Sequence, residues 1–356
     1  MRKKLLLIPL ALLLAIALVA IGCPTPPEEP TTPTEPTTPA PVQEKMEIEI
    51  YSNPLGHSTY VLSFALAEII NKNSTWLHVT CIESKGSSAN LIYLQQNPAA
   101  WENTIVMLSP FTVVQGEKAE PPFDSPFTGM KAISLIADNA AFFLTSDPDI
   151  KTISDLAGRS VGLGLKGITL EYIPRFILDY GCGVYSDIGK VSNSGFNDLK
   201  SALLDGTIDV ALQSSAAYGD EEYKDWEPIP ATAELLATKV CYLVDIEEEA
   251  FTKAREMSGY PIYVMKAKPL AFGKSPAFGG NRMWWSNSWW VHESMDDDVV
   301  REICAIIYEH ANEFVTYHAT GIGITPETVA SIACPEGDFH PAAAEFYKEV
   351  GLSVGQ

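Results

Sequence analysis

Between Met46 and Tyr51 apolar and polar residues alternate, with Ile48 and Ile50 on one side, and this period of two predicts a strand. Over residues 58–71 the period lengthens to that of a helix, and Leu62, Ala65, Leu66 and Ile69 share one face. Leu77–Ile82 predicts a second strand, 89–96 a helix, and 105–108 a third strand. Residues 115–129 read as an exposed loop, followed by strands at 131–137 and 141–146. The same plan returns over 152–217. A short helix at 152–156 is broken by Gly158, and a strand at 159–164 follows. A glycine-rich loop at 163–167 opens a helix near 169–180, with Leu170, Ile173 and Ile177 on one face. The helix Phe196–Leu204 is closed by Asp205-Gly206 and precedes a strand at 208–213. Further on, 232–258 reads as mostly helical, 260–266 as a strand, 297–318 as a helix and 342–350 as a short one. Asp296, Asp297 and Asp298 fall at the positive end of the helix that begins at 297.

Strand, loop and helix in repetition is the pattern of parallel βαβ units. The expected fold class is therefore α/β with two lobes, each a parallel-dominated sheet flanked by helices. Residues 46–140 would form lobe I, 141–270 lobe II, and 271–356 the return to lobe I with C-terminal helices. In such sheets ligands sit beyond the carboxyl ends of the strands, where loop N–H groups and helix N-termini point outward. The loop 163–169 and the run Gln213-Ser214-Ser215 fall at that place, and neither carries a nucleophile beside a base. That chemistry suits holding a ligand better than transforming one.

Charge narrows the classes further. The chain carries a formal −21, and removing the first 22 residues, with their three bases and no acid, takes it to −24. Such a surface argues against nucleic acid as a partner and against electrostatic binding to anionic lipid. The first 23 residues run from a basic start through an apolar stretch to Ala20-Ile21-Gly22-Cys23, which reads as a signal peptide ending in a lipobox. On this reading 1–22 is removed and Cys23 carries the lipid; an uncleaved anchor is the alternative. Both put the rest of the chain outside the cytoplasm, attached to a membrane. Residues 24–45 are Pro, Thr and Glu rich, a tether of roughly 60–70 Å if extended. The five cysteines beyond Cys23 include no CxxC pair and leave both one disulfide and free thiols open.

The run KTISDLAGRSVGLGLKG, followed after a helix by GFNDLKSALLDGTIDVAL, resembles the second lobe of TAXI-type solute-binding proteins of TRAP (tripartite ATP-independent periplasmic) transporters. LSFALAEIINKN and ESKGSSANLIYL come before it, and DDDVVREICAIIYEHANEF and HPAAAEFYKEVGL after it, in the family's order. The resemblance covers roughly 46–352. It implies a type II periplasmic-binding-protein-like fold with a cleft between lobes, and capture of a small carboxylate-type solute for the membrane permease subunits, with no cofactor, no metal and no catalytic residue. Ligand contacts are then expected from Asn53, His57, Ser58, Thr59 and Tyr60, where the family has a glycine-rich segment followed by tyrosine. Lys85, Ser87, Ser88 and Asn90 match its TGGS-x-x-N turn. Ser109 and Phe111 stand where relatives carry a Gln-Ser-Asp run, which implies a less polar pocket. Lys166, Gly167 and Thr169 would face the ligand from the glycine-rich loop, and Ser214 and Ser215 from the end of the following strand.

Other readings stand beside these. Gly162-x-Gly164-x-x-Gly167 matches a dinucleotide fingerprint, but a lone match in an exported chain is weak. Trp284-Trp285 and Trp289-Trp290 serve either an aromatic pocket or the core, and Arg282 beside them is a candidate carboxylate fork. His310 and Glu313 share a helix face without a further metal ligand in view. Two functions of other classes remain: a periplasmic hydrolase-type enzyme, for which only His57 with Ser58 or Ser109 offers a base and a nucleophile, and a ligand sensor serving a signalling kinase.

Overall fold

The computed structural model describes residues 44–219 and 222–355. The expected signal peptide, Cys23 and nearly all of the linker lie outside the described residues. The first half comprises β1 (Met46–Tyr51), α1 (Ser58–Asn73), β2 (Leu77–Ile82), α2 (Ser87–Gln96), β3 (Thr104–Leu108), α3 (Pro110–Glu117) and β4 (Met130–Thr145). There follow β5 (Ser160–Leu163), α4 (Thr169–Phe176), β6 (Lys190–Asn193), α5 (Phe196–Leu204), β7 (Val210–Tyr218), β8 (Tyr223–Pro228) and α6 (Pro230–Thr238). The chain ends with β9 (Tyr242–Val244), α7 (Glu248–Ser258), β10 (Tyr263–Leu270), β11 (Phe278–His292), α8 (Asp297–His310) and α9 (Pro341–Glu349).

Parallel pairing holds at the two ends of the sheet. β1 lies between β2 and β3, and β5 between β6 and β7. The expectation of parallel-dominated sheets is corrected between them, where β4 runs antiparallel to β7 and β11, β11 to β10, and β7 to β8. A parallel contact of β10 with β8 completes the circuit β4-β7-β8-β10-β11-β4, a closed belt. Two strands hold both ends together. β4 is a single strand of 16 residues and β11 one of 15, long enough at about 3.3 Å per residue to run roughly 50 Å. Met130 to Ile136 and Trp289 to Val291 lie in one hydrophobic cluster, with β1, α1 and α8. Ala140 to Leu144, Met283 and Trp284 lie in the other, with β5, β7, α4 and α7.

Several expected boundaries shift for identifiable reasons. The two strands read at 131–137 and 141–146 are one, because backbone pairing with β11 and β7 continues through the polar Asp138-Asn139. The loop read at 115–129 is partly helical and partly buried: α3 runs to Glu117, and Phe123 and Phe127 enter the first core. The helical stretch read over 232–258 is split by β9, which adds to the edge of β4. The helix read over 297–318 stops at His310 and passes into 3-10 turns at Ala311–Thr316 and Ala319–Gly323. The fold-back there is tight: a Cβ on Gly321 would lie 2.4 Å from the Phe314 carbonyl carbon. β11, with all four clustered tryptophans, has no counterpart in the hydropathy reading, since a strand buried on both faces shows no alternation.

Candidate functional site

Alternation along the belt strands gives the belt an outer and an inner face. Ala137 and Asn139 of β4, Ala216 and Tyr218 of β7, Glu227 of β8 and Asn287 of β11 share the outer face by register. They line a cavity of about 80 Å³, walled by Ser58 at the start of α1 and by Ala319, Thr320, Ile322 and Gly323, with Asp138 and Ala217 also touching it. That volume holds a few water-sized groups. The lining supplies hydroxyls, side-chain amides and carboxylates, and no Lys, Arg or His among the described residues. Glu227 and Asp225 add to burial in raising the Tyr218 phenol above its ordinary range.

Asp138 is the best-anchored polar group of this region. Its Oδ1 accepts from Ser286 Oγ at 2.6 Å, and its Oδ2 lies 3.4 Å from Lys224 Nζ. Lys224 also donates to the Gly219 carbonyl at 2.8 Å and sits 4.8 Å over the Trp284 ring. Ser286 Oγ in turn accepts from the Ala333 N–H at 2.9 Å. Complete burial raises the Asp138 carboxyl above its ordinary value of 3.8, against the pull of Lys224, Ser286 and Trp284.

The residues expected at the site fall into three groups. Ser58 lines the cavity. His57 and Lys85 are exposed, Tyr60 and Ser88 are half-buried, and Lys166 and Gly167 are exposed on a loop that leads to half-buried Thr169. Most of the rest spend their polar atoms on the fold or lie in the core. Asn53 Nδ2 donates to Thr59 Oγ1 at 2.5 Å, and Ser87 Oγ contacts Met107 Sδ at 3.6 Å. Asn90, expected to face the cleft, is fully buried and donates to the carbonyls of Tyr51, Ser52 and Met107, tying β1 to β3. Ser109 caps α3, accepting from the Thr112 N–H, with Pro110 at the first helical position.

Phe111 does not face open space. It stacks on Tyr260 at 4.3 Å and Tyr172 at 5.4 Å and belongs to the second core. Ser214 Oγ donates to the Ala140 carbonyl at 2.9 Å, and Ser215 is buried on the inner face. Trp284 is 3% exposed within the second core and Trp285 packs against that core. The fingerprint glycines have a packing role: a Cβ on Gly164 would lie 2.6 Å from the Leu170 carbonyl oxygen, so β5 and α4 meet too closely for any side chain.

Asn139, Tyr218, Glu227, Asn287 and Thr320 were not singled out in the sequence. The available signal was the polar pair Asp138-Asn139 inside an otherwise apolar run, where an unpaired buried polar group is costly and so marks a partner or a cavity.

Two α/β cores joined by long shared strands, with a cavity against those strands, is the arrangement of a two-lobed α/β solute-binding fold. The structure of a TctC solute-binding protein from Polaromonas superposes with a TM-score of 0.50 at 16% identity, covering 89% of this chain and 99% of that one. MatC from Rhodopseudomonas palustris with bound malate gives 0.44 at 14% identity, covering 87% and 97%. The fold is that of periplasmic solute-binding proteins. The chain belongs to the NMT1-like family, whose profile matches residues 52–351. Comparison with curated proteins gave no significant match.

Proposed function

We propose that this chain is an extracytoplasmic solute-binding lipoprotein that captures a small carboxylate-type solute between its lobes and delivers it to TRAP-type membrane subunits. The observation that carries the reading is the cavity on the outer face of the belt, fed by polar groups from both lobes and the strands that join them. A ligand held there stabilises the arrangement it bridges, by the difference in its affinity for the open and closed forms. Delivery to TRAP subunits, the TAXI assignment and the lipid anchor at Cys23 rest on the segment order and the leader described above.

Because the lining has no cationic side chain among the described residues, a carboxylate would be bound through Ser58, Asn139, Asn287, Thr320 and backbone N–H groups. Asp138 and Glu227 in the same lining favour a second reading, an amine-bearing or neutral polar solute. A binding role rather than a catalytic one is supported by two details: His57 is exposed, and the Ser109 hydroxyl pairs with Thr112 Oγ1 at 3.0 Å inside a helix cap.

A thermal-shift screen with amino acids, dicarboxylates, keto acids and polyamines tests the proposal. Saturation at about a hundredfold excess over Kd adds about 2.7 kcal/mol of stability. A shift from acids that Asn287→Asp abolishes supports the carboxylate reading; a shift from amines that Asn287→Asp preserves or enhances supports the second. If no solute shifts the protein, capture in this cavity is wrong. Turnover of a bound solute that His57→Ala abolishes without loss of affinity would replace it with an enzyme.

A further inference from the structure

The inner face of the belt carries an imbalance of charge and of hydrogen bonds. Asp138 and Lys224 pair with each other there. Arg282 has no such partner: it is 0% exposed, and its Nε, Nη1 and Nη2 have no hydrogen-bond acceptor among the described residues. Its guanidinium lies 4.0 Å over the Phe142 ring and 4.7 Å over that of Trp226. Phe142 belongs to β4 and Trp226 to β8, strands on opposite sides of the circuit, so the guanidinium is inside it. Aromatic faces compensate part of the cost of burying a cation, but they accept no hydrogen bond in the plane of the fork.

Other unpartnered groups share this face. Gln213 is opposite Phe142 in register and Ser215 is opposite Ala140. Both residues are 0% exposed, and Gln213 Nε2 and Ser215 Oγ lack partners. Gln213 Oε1 lies 2.9 Å from Thr232 Oγ1, whose single proton is shared with the Ser214 carbonyl at the same distance, and Nε2 is the end of the amide without a partner among the described residues. Donors on both flanks of β4 and a net positive charge are the complement of an anion. Burial holds Arg282 down to about 9, which leaves it charged at neutral pH, with Asp245 opposing the shift. Phe278, 5.4 Å from the guanidinium, also lines an open groove beside Gly279 and Gly280.

We propose that the interior of the belt is an anion site in which Arg282, with Gln213 and Ser215, binds one carboxylate-class anion. The anion is either a free small carboxylate or the acid group of a larger solute, and the site stands whether or not the outer cavity takes a solute.

The test is thermal unfolding of the whole chain titrated with sodium formate and sodium acetate, against sodium chloride at equal ionic strength, with chromatography of the anions released on acid precipitation. The expected result is a melting-point rise of a few degrees beyond that in chloride, or a carried carboxylate in equimolar amount. Ser215→Ala and Gln213→Leu should each weaken the response on the order of tenfold, and Arg282→Met should abolish it. The proposal is overturned if wild type neither carries a carboxylate nor responds beyond chloride, or if Arg282→Met responds as wild type does. Should Arg282→Met fail to fold, wild-type affinity in both Ser215→Ala and Gln213→Leu overturns it equally. Formate competing with a solute identified by the screen makes the source that solute's acid group; absence of competition makes it a free anion. A formate response weakened by Ser215→Ala and Gln213→Leu belongs to the inner site, whereas one weakened by Asn287→Ala alone belongs to the outer cavity and overturns the inner site, which keeps failure of the two readings separate.

Discussion

The two faces of the belt are made by the same strands, and one residue's step separates them. On β4, Asn139 faces out into the cavity while Asp138 and Ala140 face in; on β11, Asn287 faces out while Ser286 and Trp284 face in. The outer groups are amides and hydroxyls at an opening, where water satisfies them and a ligand can replace that water at small cost. The inner groups are almost wholly buried, so each charge must find a partner inside the protein or weigh on stability. Asp138 and Lys224 found one another. Arg282 found aromatic faces. The outer face is thus a place where substitutions should alter affinity, and the inner face one where they should alter folding.

That contrast is open to attack, and the largest expected effect is at Asp138. Asp138→Ala strands Lys224 as a buried unpaired cation and should destabilise the fold by about 3–5 kcal/mol in urea unfolding. Asp138→Leu combined with Lys224→Met should regain most of that loss. If the single substitution costs under about 1 kcal/mol, the inner face is wetter than described.

Next in size is the outer face. Asn287→Ala should weaken solute binding about tenfold in calorimetry while changing unfolding stability by less than about 0.5 kcal/mol. Loss of stability with unchanged affinity would reverse the assignment of the faces.

A smaller effect concerns pH. The folded Asp138 carboxyl titrates above its ordinary 3.8, so the folded state holds this proton more tightly than the unfolded state does. Its contribution is fully present below pH 3.8 and is lost as pH rises through the folded value. Wild type minus Asp138→Asn should therefore show a stability difference that declines as pH rises above 3.8, and a flat difference would contradict the raised value.

The smallest effect is expected at Lys85. This side chain is exposed on the loop before α2, and Lys85→Ala should change solute affinity less than about twofold and stability by less than about 0.5 kcal/mol. A tenfold loss of affinity would move the solute toward the loops of lobe I.

How much of this was legible in the chain follows from how local each signal is. The helical stripe of Leu62, Leu66 and Ile69 and the strand at Leu77–Ile82 are written within a few neighbouring residues, and both appear where the periodicity puts them. So does Phe196–Leu204, closed by Asp205 and by Gly206 at φ +70°. The loops after β1, β2 and β3 were also readable as strand ends, but the use made of their polar atoms was not. Asn90 looks like a ligand group in sequence and is consumed by three carbonyls that only β1 and β3, side by side, present together. The tryptophans left pocket and core open for the same reason: Trp289 Nε1 donates to Ser63, 226 positions away in the chain.

The sequence alone determined the alternating α/β plan, the order of its elements and the acidic character of the chain, because propensity, periodicity and charge act over short spans. Only the tertiary structure decided that β4 and β11 close a belt, which of their side chains face in, and that Asp138 meets Ser286 from 148 positions away. Strand register is set by pairing energy between distant segments, and a step of one residue exchanges the two faces. The cavity outside and the unpaired arginine inside are both products of that register.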